Sequence, residues 1–130
     1  MANLTESDWQ CMRGLHDEML AALCSRINQA AAKLIRAKAG GDHATYLRLY
    51  KHILDSDEVV AECFNDWRRS TIGLRLISLR RHKVMTEEQF ERLTPGAREM
   101  VNAMLEIYRY RWDQSRPRRA VYGLCWGGTP

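Results

Sequence analysis

Residues 5–41 read TESDWQCMRGLHDEMLAALCSRINQAAAKLIRAKAGG, and this stretch decides the fold class. Thr5 is a residue type that caps helices, because its hydroxyl can accept an amide hydrogen bond that the first turn leaves open. Glu6 and Asp8 suit the positive end of the helix dipole. Trp9, Met12, His16, Leu20, Leu23, Ile27, Ala31 and Leu34 then recur at three- and four-residue steps. That spacing predicts one apolar face on a helix of about nine turns. Gly40 and Gly41 end it, and Lys33, Arg36 and Lys38 suit its negative end. The three prolines are Pro95, Pro117 and Pro130, so nothing in the first 94 residues forbids long helices.

Working outward, Asp42 can cap a second, short helix whose apolar stripe is Tyr46, Leu49, Tyr50, Ile53 and Leu54. Asp55-Ser56-Asp57-Glu58 reads as a break or a new cap. A third helix is predicted from about Asp57 to about His82, amphipathic through Val59, Val60, Cys63, Phe64 and Trp67. Apolar residues lie nearly all round its later part, as expected of a central helix. Thr86-Glu87-Glu88-Gln89 is a capping box that opens a short fourth helix. Thr94 and Pro95 supply the cap and first-turn proline of a fifth. Its stripe is Ala97, Met100, Val101, Met104, Leu105, Tyr108 and Trp112, with Arg109 and Asp113 spaced for an ion pair. Ser115-Arg116-Pro117 stops it. The expected protein is all-α: a single-domain bundle of four or five helices over residues 1–114, with a basic, irregular tail over 115–130.

At 130 residues and 45% hydrophobic composition, the chain can bury a core without covalent staples. The four cysteines (Cys11, Cys24, Cys63 and Cys125) form no CxxC pair. Cys11 and Cys24 on one helix would stand roughly 20 Å apart, too far to bridge. Reduced thiols and a cytoplasmic location are expected. The N-terminus is acidic and polar, so no signal peptide is expected. No apolar run approaches the length of a membrane span.

Charge is segregated. Sixteen arginines stand against four lysines. Residues 67–83 carry six formal positive charges and no acid, residues 107–130 five arginines against one aspartate, and the rest is acidic. If 57–82 is one helix, Arg68, Arg69, Arg75, Arg80 and Lys83 fall within an arc of roughly 140°. Such a stripe, with Arg81 beside it, could follow a phosphate backbone. Alternatively these charges solvate a helix and pair with the acidic N-terminal half. Arg109, Arg111, Arg116, Arg118 and Arg119, interleaved with aromatics, form a second candidate for DNA or RNA. Tyr110, Tyr122 and Trp126 are candidate partner-binding residues.

No HExxH, ExxH pair, Gly-rich phosphate loop or GxSxG is present. Neither a metal nor a cofactor is expected, and nothing points to an enzyme. Residues 41–50 (GDHATYLRLY) resemble the helix that opens the core-binding region of bacterial extracytoplasmic-function sigma factors. Residues 57–67 (DEVVAECFNDW) are similar to a later helix of that region. The two segments cover about a sixth of the chain. The helix between them and a promoter-reading helix-turn-helix are not legible, and family members are longer, so no function is carried over. The expected function is that of a small non-enzymatic interaction protein, associating with itself or another protein. The first helix, longer than a bundle of this size needs, is expected to lend part of its stripe to a homodimer. The alternative is a nucleic-acid-associated protein, and an enzyme or a metal or cofactor carrier is the third and last reading.

Overall fold

A computed structural model describes residues 4–115. Those residues form five helices: α1 (Glu6–Ala37), α2 (Gly41–Phe64), α3 (Ile72–Arg81), α4 (Glu87–Phe90) and α5 (Pro95–Ser115). The all-α bundle with a long first helix is therefore observed. The expected tail lies outside the described residues, apart from Ser115, which ends α5.

α1 spans 32 residues, about 48 Å. Its cap is reciprocal: the Asp8 amide donates to Thr5 Oγ1 (3.2 Å) and the Thr5 amide to the Asp8 carboxylate (3.0 Å). The buried face is Asp8, Met12, Leu15, Met19 and Leu23. The expected stripe was centred one residue too far round. Trp9, Leu20 and Ile27 pack only partly against the core. His16 lies edge-on to Phe64 and Trp67, with ring centroids 5.5 and 4.7 Å away. The face is broad because α1 meets α2 on one side and the later helices on the other.

Lys38, Gly40 and Gly41 adopt positive φ and reverse the chain. A Cβ on Gly40 would sit 3.0 Å from that of Ala44, so the turn requires glycine there. α2 returns antiparallel along α1. His52 Nε2 bonds to the Ile27 carbonyl at 3.0 Å, and Phe64 meets His16, so residue numbers across the pair sum to about the same value. No break occurs at 55–58. Ser56 is buried, and Asp55 pairs with Lys51 one turn back.

The break falls instead at Asn65–Thr71, inside the stretch expected to be one helix. Asn65 is extended and Asp66 adopts φ 59°. Thr71 Oγ1 donates to the Asp66 carbonyl, and the Arg68 amide donates to Thr71 Oγ1. Asn and Asp tolerate the left-handed region, and their neighbours offer the backbone local alternatives to helical bonds. The sequence left open whether this element is central or exposed; in α3, Ile72, Leu76, Ile77 and Leu79 are buried, while Leu74 is 43% exposed.

Thr86 and Gln89 form the anticipated capping box. α5 then packs Ala97 and Val101 into the core, with Met100, Met104 and Leu105 at its edge. Each fully buried large side chain contributes about 1.5–3 kcal/mol. Asp8 ties the start of α1 to the start of α5. It is 1% exposed. Besides its bonds to Thr5, its carboxylate accepts from the Thr94 amide and hydroxyl, both at 2.8 Å. The Thr94 hydroxyl faces the Ala97 amide at 3.4 Å, so one carboxylate braces the N-termini of both α1 and α5.

Candidate interaction surface

The core stops short of the hairpin tip. The last buried residue on α1 is Leu23, and the first on α2 is Ser56. Residues 24–55 therefore form a two-helix projection. Its inner side is closed by Leu49, His52 and Ile27, all half-buried. Arg48 caps the turn by donating to the Ala39 carbonyl.

The outer side of α2 is apolar and open. Tyr46, Leu47, Tyr50, Ile53 and Leu54 are 60, 50, 56, 45 and 51% exposed. At 100° per residue they fall within an arc of about 120°. Tyr46 and Tyr50 stack on each other, centroids 6.4 Å apart. Scattered exposed apolar residues are ordinary, whereas a contiguous patch of several hundred Å² marks an interaction site. The expected α2 stripe is thus mostly the solvent face, and only Leu49 of that set turns inward. The readable signal was that α2 carries two apolar faces: Leu49, Val60 and Cys63 toward the core, and the five exposed residues away from it. The surface expected on α1 for a second copy is largely occupied, because α2 lies along α1 and leaves Leu34 half-buried.

The basic residues do not form one helical stripe. Arg68 and Arg69 lie in the 65–71 loop, and Lys83 follows α3 with φ 58°. Most of the described arginines are engaged within the chain. Arg69 forks onto Glu6 at 3.0 and 2.8 Å, and this bond holds the Glu6 carboxyl below its usual range. Arg68 pairs with Asp66. Arg75 donates to the Asn65 carbonyl at 2.7 Å. Arg80 Nη2 donates to both Glu87 oxygens at 2.7 and 3.0 Å, its Nη1 donates to the Met85 carbonyl, and the guanidinium lies 4.2 Å from the Phe90 ring centre. Arg81 and His82 both contact Glu62. Burial acts to raise the Glu62 pKa, but the hydrogen bond to His82 and the electrostatic pull of His82 and Arg81 outweigh it and hold the carboxyl low. Arg109 reaches Glu106 at 3.7 Å.

Arg111 and Tyr110 are exposed on α5, Tyr110 at 69%. Tyr108, expected in the core, is at the surface with Arg81 over its ring at 5.8 Å. Arg116, Arg118, Arg119, Tyr122 and Trp126 lie outside the described residues, as do the side chains of Trp112 and Asp113.

Among the described residues no three His, Cys, Asp or Glu side chains could hold a metal ion. Burial raises the Cys11 thiol and pushes Cys63 up to about 12, and Cys24 is exposed. No described helix is long and apolar enough to cross a membrane. Comparison of the chain with protein-family models, curated proteins and solved structures returns no match. The two segments that resemble sigma-factor helices lie mostly on one continuous helix, α2, and not on separate helices.

Proposed function

We propose that this chain is a small cytoplasmic, non-enzymatic interaction protein that works by self-association. The observation that carries the reading is the outward face of α2, which holds five large apolar side chains on a projection that adds no fully buried side chain to the core. Covering such a face removes apolar surface from water, the main drive for association between folded proteins. Sedimentation velocity from about 5 to 200 µM tests it. The expected result is a concentration-dependent shift from monomer to a larger species that persists at 0.5 M salt, because apolar burial is not screened. A chain monomeric throughout overturns the reading.

A nucleic-acid role is the second reading, and one observation favours it. Arg26 donates to the His82 and Lys83 carbonyls at 2.9 and 2.8 Å. It also lines a shallow depression of about 380 Å³ with Lys33 and Arg36. This groups Arg26, Lys33 and Arg36 around one depression, with Arg26 bonded to the Lys83 backbone. Against it, Arg68, Arg69, Arg80 and Arg81 already hold carboxylates, which a phosphate would have to displace. Titration against labelled duplex DNA and single-stranded RNA at 50 to 300 mM salt separates the two readings. Phosphate binding falls by roughly 0.9 log units per contact per log unit of salt on duplex DNA.

A further inference from the structure

The exposed face of α2 has an internal symmetry about Tyr50. Leu47 and Ile53 lie three residues to either side, Tyr46 and Leu54 four residues, and His43 and Asp57 seven. All seven residues are exposed, and at 100° per residue all fall on one side of the helix. The apolar positions are therefore palindromic in register, and the pattern ends in a hydrogen-bond donor on one side and a carboxylate on the other. A two-fold contact demands this kind of self-complementarity, because each residue must meet the symmetry mate of another on the same surface.

We infer that the occupant of this face is a second copy of the chain, with α2 packed antiparallel on its twin and Tyr50 on the two-fold axis. This inference rests on the self-association reading above and adds its register. Antiparallel pairing about residue 50 brings together positions whose numbers sum to about 100. Tyr46 and Leu47 of one copy then lie over Ile53 and Leu54 of the other, and each ring fills the space beside a branched aliphatic chain. His43 meets the partner's Asp57 at both ends of the contact. An imidazole N–H can donate to that carboxylate whether the ring is neutral or charged. Parallel pairing would instead set His43 on His43 and Asp57 on Asp57, with two acids facing each other.

The area is consistent with a specific contact. Five large side chains about half exposed leave on the order of 500 Å² of apolar surface per copy. Joining two such faces buries about 1,000 Å², the lower bound for a specific interface, before the flanking polar residues are counted. The result is a four-helix arrangement of two hairpins, in which each α2 is covered on both of its apolar faces.

The experiment is sedimentation equilibrium on the full chain and three variants, with thermal melts to verify that each is folded. Tyr50→Glu sets two carboxylates against each other on the axis and should weaken the dimer at least a hundredfold. His43→Asp opposes two acids at each end and should weaken it about tenfold. Adding Asp57→His to His43→Asp restores opposite partners in the antiparallel register and should return the dimer to within about threefold of the parent. Rescue by the double variant supports the register. A dimer that survives Tyr50→Glu, or that His43→Asp weakens without rescue, or that His43→Asp leaves unchanged, overturns the register while self-association stands. A parent chain that stays monomeric at 200 µM overturns both.

Discussion

Replacing Asp8 with alanine tests the brace between the N-termini of α1 and α5. The carboxylate is buried and accepts four hydrogen bonds, two from Thr5 and two from Thr94. In Asp8→Ala the Thr5 groups, on an exposed residue, can turn to water, so their loss amounts to a lost helix cap, about 1 kcal/mol. The Thr94 amide is partly buried, and leaving it unsatisfied costs about 1–3 kcal/mol. The expected destabilisation is therefore about 2–4 kcal/mol, which for a chain of this size lowers Tm by about 10 °C. Asp8→Asn keeps an acceptor of the same shape and should lose about half as much. Urea unfolding followed by circular dichroism at 222 nm reads the difference. A double-mutant cycle with Thr94→Val should return a coupling of about 1 kcal/mol, since the two residues share one bond network. A loss below about 1 kcal/mol for Asp8→Ala, or no coupling to Thr94, would refute the idea that this carboxylate joins α1 to α5.

The same carboxylate sets the acid limit of the fold. Burial alone would raise the Asp8 pKa, but the hydrogen bonds from Thr94 and Thr5 outweigh it and hold it below the ordinary aspartate range. Glu62 is likewise held low. A folded-state pKa below the unfolded one adds stability that is complete above about pH 5 and is lost as pH falls through the folded value. Denaturation midpoints should therefore be level from pH 8 to about 5 and drop below about 4, and Asp8→Asn should flatten that drop. Arg80→Lys should cost about 1–2 kcal/mol in thermal melts. The Arg80 side chain is 16% exposed, and a lysine cannot hold Glu87 and the Met85 carbonyl together while lying on Phe90. Arg68→Lys, at a 66% exposed side chain, should change stability by less than about 0.5 kcal/mol.

Where local chemistry and periodicity agreed, the fold was legible in the sequence. Thr5, Thr86 and Thr94-Pro95 each stand at the start of a helix, and each signal is carried by a few adjacent residues. The break at 65–71 was not legible from periodicity, because Trp67 continues the apolar spacing of Val60 and Phe64 across it. Thr71 carried the contrary signal through its side-chain bonds to the backbone, and Asn65 and Asp66 through their tolerance of non-helical backbone angles. Ser56 and Asp57 pointed the other way, since a cap-like cluster can also sit inside a helix when one member is buried against a neighbour. The basic stripe depended on one unbroken helix and dissolved with it. The α2 surface was legible as an apolar stripe but not as an exposed one. Which of two apolar faces turns inward is decided by what the rest of the chain leaves uncovered, and no window of sequence contains that.

The hairpin tip also has a consequence for how the molecule opens. Beyond Arg26, which still reaches the His82 and Lys83 carbonyls, its amides are held by two helices leaning on each other, tied by His52 to the Ile27 carbonyl and by Arg48 to the Ala39 carbonyl. Fraying from the Gly40 turn can proceed without disturbing Asp8 or α3, so amide exchange should show a gradient of protection that falls toward the tip. Association over α2 would clamp those same amides. The least protected stretch of the lone chain would then respond most strongly to concentration, and assembly would set the height of the opening barrier residue by residue along the projection.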